Sequence, residues 1–184
     1  MTVTLDGNGF TPFDEATIST DAASVTIDIS DDSNQNICLV MGSVGADTDN
    51  AFGRMQLLDS GSNPITNVRG NTASLGVTTS TIQLTGDVFN TNYYGLGNAS
   101  SDSSISGERM QLMTWVQASQ NASEPFYDVV VRTFSTQAYT NNNVFQTSVG
   151  LYFQGSAVPR KLKFYFSSGN ISTASLKSYI IGGN

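Results

Sequence analysis

The residues of this chain that could do chemistry are mainly its fifteen carboxylates. There is no histidine, which removes ordinary Ser-His and Cys-His catalysis together with imidazole metal sites. The one cysteine lies in Ile37-Cys38-Leu39-Val40-Met41, a setting for a small buried hydrophobe, and alone it closes no intrachain disulfide. No Ser-x-x-Lys string occurs, and no glycine-rich phosphate loop leads into a helix. A pair of carboxylates suffices for glycoside hydrolysis when one has a raised pKa. Asp28 and Asp128 are the acids best placed inside apolar strands, but period-2 alternation turns both toward solvent. Asp47-Thr48-Asp49-Asn50 offers oxygen atoms to Ca²⁺, yet Ala51 and Leu58 stand where an EF-hand loop needs ligands, and a polar turn is the simpler reading. Tyr93 and Tyr94 flank a glycine-rich stretch and are the candidate ligand-binding residues. Their rings could stack on a sugar or a partner protein, or pin the loop to the fold. Trp115 is expected in the core, on the strand face opposite Leu112 and Thr114. The sequence predicts no enzyme, no cofactor and no metal site.

The elements that must position these residues are strands. Val25-Thr26-Ile27-Asp28-Ile29 places Val25, Ile27 and Ile29 on one face. Met110–Val116 is longer and more apolar, as a central strand would be, and Tyr127–Phe134 and Val149–Phe153 are similar. Polar clusters such as Asp59-Ser60-Gly61-Ser62-Asn63-Pro64 and Ser168-Gly169-Asn170 read as turns. About eight to ten strands are predicted from this spacing. No window carries a sustained helical repeat, although Thr11-Pro12 could open a short helical turn. The stretch from Tyr93 to Gly107 shows no clear strand and reads as a long loop. Lys161–Phe166 and Ile171–Ile181, separated by Ser167-Ser168-Gly169-Asn170, read as a closing β-hairpin. The predicted fold is all-β: an antiparallel, jelly-roll-like β-sandwich. Residues 25–184 form a single domain in this reading, and residues 1–24, acidic and weakly patterned, could serve as an arm that docks on a neighbour.

Charged residues are 12% of the chain, about half the usual share, and the net charge is −7. Such an acidic chain repels a phosphate backbone and has no basic stripe, which argues against nucleic-acid binding. No apolar run is long enough to cross a bilayer as a helix, so no membrane partner is predicted. The opening Met1-Thr2-Val3-Thr4-Leu5-Asp6 lacks the regions of a signal peptide, which suggests synthesis and folding in a cytoplasm. No Lys or Arg precedes Arg54, whereas Arg160, Lys161, Lys163 and Lys177 cluster near the end. The acidic front and basic tail could attract one another between subunits, or simply be solvated.

The C-terminal pattern carries a resemblance. Lys163-Phe164-Tyr165-Phe166-Ser167-Ser168-Gly169-Asn170-Ile171, followed by Ser175-Leu176-Lys177-Ser178-Tyr179-Ile180-Ile181, resembles the last hairpin of a widespread group of bacteriophage virion proteins. Met55–Gly61 and Tyr93-Tyr94-Gly95 are similar to a strand-and-turn and a tyrosine-bearing loop of that group. Ile180 and Ile181 depart from its pattern by standing between Tyr179 and Gly182. The resemblance implies a jelly-roll-like domain on a virion, made in the host cytoplasm, as a capsid-decorating or appendage protein. The implied partners are copies of itself, as a trimer or another cyclic oligomer, and other virion proteins such as the major capsid protein. Decoration is favoured over a fibre because neither a long shaft nor an anchoring segment is visible. The alternative is a tail-tip adhesin that binds host surface glycans through Tyr93 and Tyr94.

Overall fold

The computed structural model describes residues 10–30, 37–48, 51–66, 68–77, 82–91, 94–101, 109–120, 127–139, 143–155 and 157–181. Among them the chain forms twelve strands and no helix. In order these are β1 (Thr11–Ile18), β2 (Val25–Asp28), β3 (Ile37–Ala46), β4 (Ala51–Leu58), β5 (Val68–Val77) and β6 (Ile82–Thr91). They continue as β7 (Tyr94–Ser101), β8 (Met110–Gln120), β9 (Tyr127–Tyr139), β10 (Asn143–Gly155), β11 (Lys161–Phe166) and β12 (Ile171–Ile181). Eight strands build a large sheet in the order β1-β12-β3-β8-β9-β10-β5-β6, and four build a small one, β2-β11-β4-β7. The paired strands are antiparallel. The all-β, antiparallel architecture is the one the sequence predicts, and β8, the strand read as central, is fourth of eight.

Alternation explains the layers. In β11, Leu162, Phe164 and Phe166 are buried while Lys161, Lys163 and Tyr165 are only partly so. The buried set faces inward with Val25 and Ile27 of β2 and Met55 and Leu57 of β4. From the large sheet come Cys38, Val40 and Val44 of β3, Met110, Leu112 and Val116 of β8, Val131 of β9 and Leu176 of β12. Burying one such leucine or phenylalanine contributes about 1.5–3 kcal/mol. Of the six buried hydroxyl residues among those described, three make contacts inside the core. Thr114 and Thr133 share a hydrogen bond of 3.0 Å, and Thr114 Oγ1 lies 3.9 Å from Met55 Sδ. Ser135 Oγ donates to the Leu96 carbonyl at 3.1 Å, which ties β9 to β7 across the sandwich.

Four readings of the sequence change. The described residues alone hold twelve strands, above the eight to ten predicted. The region read as a loop after Tyr93 contains β7, a glycine- and serine-rich edge strand without alternation. It is held by pairing with β4, across a register shift between Phe52 and Arg54, and by the fully buried Leu96. The residues after Thr11 are strand rather than a helical turn, because β1 docks on β12 at the sheet edge, where a proline is tolerated. β1 lies within residues 1–24, the stretch read as an arm. The fourth change concerns the chain end. β11 and β12 have the limits the sequence suggests, but they are not a hairpin: β11 belongs to the small sheet and β12 to the large one. Ser167–Asn170 is therefore an arch across the sandwich. Each strand has its own apolar face to bury, and facing sheets satisfy both faces at once.

Gly169 makes the arch sharp, with φ +69°. A Cβ there would run into Thr48 and Asp47 of the segment following β3. Asp47 Oδ1 accepts hydrogen bonds from the Asn170 amide at 2.7 Å and from the Thr48 hydroxyl at 2.7 Å, and the Asp47 amide donates to the Asn170 carbonyl at 3.0 Å. The turn after β4 is as read: Asp59 Oδ1 accepts from the Asn63 amide at 2.8 Å, and the Ser62 amide donates to the Asp59 carbonyl.

Candidate functional site

Cys38 is fully buried in β3, and burial pushes its thiol up to about 12 despite a backbone hydrogen bond with Tyr179 that pulls the other way. It is a core residue, as its sequence setting implies. Asp28 is exposed, as alternation predicts, and its backbone amide donates to Asp14 Oδ2 at 2.9 Å. The side chain of Asp128 lies outside the described residues, as do Asp49 and Asn50. Asp47, the remaining acid of the Ca²⁺ reading, is held below the usual carboxylate range, first by the Thr48 hydroxyl and then by the Asn170 amide. Its oxygen is engaged in holding two loops together, which fits the polar-turn reading. Tyr93 lies outside the described residues, and so does the side chain of Tyr94, whose backbone opens β7 opposite Met55.

Glu15 of β1 and Lys177 of β12 form an ion pair at 3.3 Å. The acidic front and basic tail thus meet within one chain. Both side chains are about half exposed, so the contact adds little stability.

Trp115 is the residue whose expected role changes most. Leu112 and Thr114 face inward, and Trp115 lies half-buried on the opposite, outward face of β8. The outer face around it is apolar. One transverse row runs in register through Tyr179, Leu39, Trp115 and Arg132, from β12 to β9. The next contains Lys177, Met41, Met113 and Phe134. A third contains Ile181, Ile37, Gln117 and Val130. Phe134 is 48% exposed, and Met41, Met113 and Val130 are each more than one third exposed. At the margin the Phe10 ring stands edge-on to Tyr179, with centroids 6.3 Å apart. Of the six large hydrophobic residues exposed among those described, Phe52 alone belongs to the small sheet.

Sequence reasoning misses this face because each strand alone alternates correctly. Met113 and Trp115 look like the outward positions of one strand, and Phe134 like that of another. The strand order β12-β3-β8-β9 turns separate outward residues into a contiguous surface. Trp, Phe, Tyr, Met and Arg are the types enriched where proteins meet, and acids are scarce there, as on this face. The arrangement can bury apolar area against a partner; among the described residues of this face no nucleophile stands beside a base. No family model, no curated protein and no solved structure matches the chain.

Proposed function

We propose that this chain is a structural protein of the outer bacteriophage virion, a jelly-roll-like capsid-decorating or appendage component that works through subunit contacts and not through catalysis. The observation that supports it best is the apolar outer face of the large sheet, centred on Trp115, Met113 and Phe134. Contiguous exposed apolar surface on a soluble domain marks a site of association. The antiparallel sandwich and the low charge agree with such a role. The resemblance of the C-terminal residues to virion proteins now rests on their order and chemistry, since β11 and β12 form an arch.

Immunogold electron microscopy of purified particles, with antibody against this chain, tests the reading. Label spread over the head is expected for a decorating protein. Label confined to the tail would move the assignment to an appendage and justify glycan screening. Particles free of label would overturn it.

A further inference from the structure

We propose that the outer face of the large sheet is a self-association surface, on which a second copy of this chain packs face to face across a two-fold axis near the Trp115–Arg132 pair. The inference stands on the face itself and does not require the virion reading.

Charge supports a copy as the occupant. The whole chain carries −7, so two copies repel one another over most of their surfaces. On this face the described charges from β1 to β9 are Glu15, Lys177 and Arg132, and the first two are paired with each other. Among the described residues, this face therefore offers a second copy little like-charge repulsion.

Arg132 supports a two-fold arrangement. It sits directly beside Trp115 in the register, exposed within an apolar surface. Covering an arginine with aliphatic side chains alone would strand its charge at a cost of several kcal/mol. A two-fold axis between the two residues brings the indole of each copy toward the guanidinium of the other. A cation over a desolvated indole face is worth about 2 kcal/mol. One pair of neighbouring residues is then used twice, as an isologous interface requires.

The area is that of a small, reversible interface. The four strands from β12 to β9, at about 4.8 Å spacing, over some seven residues at about 3.4 Å each, present a plane of roughly 450 Å². A standard interface takes about 800 Å² from each partner, and weak, transient ones take less. Sheets stack face to face in this way inside sandwiches, about 10 Å apart.

Sedimentation velocity on the purified full-length chain tests this, with Phe134→Glu and Met113→Glu as variants. Both side chains project from the surface of the single chain, so folding is retained, and circular dichroism checks that. The native chain is expected to sediment as a dimer or a higher even-numbered oligomer. Either variant should weaken the association at least about thirtyfold, as loss of a central contact does. Phe52→Glu, on the small sheet, should leave the mass unchanged. A native chain that stays monomeric at high micromolar concentration overturns the proposal. So does an oligomer that survives Phe134→Glu and Met113→Glu, or one that Phe52→Glu dissociates equally. A native monomer whose Trp115 emission shifts only when residues 1–9 are removed would show that the chain's own N-terminus covers the face, which also overturns it. None of these outcomes bears on whether antibody labels a particle.

Discussion

At the scale of single residues, this chain separates reactivity from burial. Cys38 is the only cysteine of the chain, and its buried position in β3 removes its thiol chemistry. Its thiol is enclosed by the inner faces of two sheets, and the charged form is desolvated, so its pKa rises from 9.0 to about 12. The folded state therefore holds the proton more tightly than the unfolded state. Stability is at its full value below about pH 9 and falls as pH climbs toward about 12, by at most about 1.4 kcal/mol per pH unit. The matching prediction is kinetic. A thiol-specific disulfide reagent at pH 8 should react with the native protein only as fast as it unfolds, and at the rate of a free thiol in denaturant. Rapid native labelling would show that Cys38 is reached by solvent. The burial of Cys38 is legible in Ile37-Cys38-Leu39-Val40-Met41, but that Ile37, Leu39 and Met41 take the outer face is not.

At the scale of elements, strand limits are legible and partners are not. Lys161–Phe166 and Ile171–Ile181 are readable from alternation and from the polar break between them. Whether two such strands pair with each other or face each other depends on surfaces far away in the chain: β4 and β2 flank β11, while β3 and β1 flank β12. β7 is illegible for a different reason, since Gly95, Gly97 and Asn98 carry no period, and the strand exists because β4 lies beside it. The arch itself yields a prediction. An alanine at position 169 must adopt φ near +69° and push against Thr48 and Asp47, whose hydrogen bonds fasten the two segments. A left-handed backbone costs a non-glycine residue about 1–2 kcal/mol, and the displaced contacts add to it. Gly169→Ala should therefore lower unfolding free energy by about 2–4 kcal/mol in urea titration. The same change at Gly61, a turn glycine with no left-handed φ, should cost much less. Equal effects at the two sites would deny the arch its special geometry.

At the scale of the whole molecule, the chain crosses between sheets repeatedly. β2, β4, β7 and β11 build the small sheet, and β3, β5, β6, β8, β9, β10 and β12 lie between or after them in the large one. Neither sheet is a continuous piece of sequence, so neither can complete itself before the other is in place. Every strand of the small sheet is tethered through the core, as Thr114 to Met55 and Ser135 to Leu96 illustrate. Two consequences follow from pairing residues so distant in sequence. Folding should be slow for a domain of this size, in the range of about milliseconds to seconds, because long loops must close before contacts reward them. Unfolding should be one cooperative step. Trp115 is the only tryptophan and reports on the outer face of the large sheet, while far-ultraviolet circular dichroism reports on both sheets together. The two signals should trace the same denaturant curve, with one midpoint. Thiol exposure at Cys38, between the sheets, should follow that curve as well. If Trp115 emission changes at a lower denaturant concentration than the other two, at a midpoint that rises with protein concentration, an association on the outer face is being lost before the fold. If instead circular dichroism falls in two steps at every concentration, the sheets separate from one another, and the interlaced order does not bind them into a single unit.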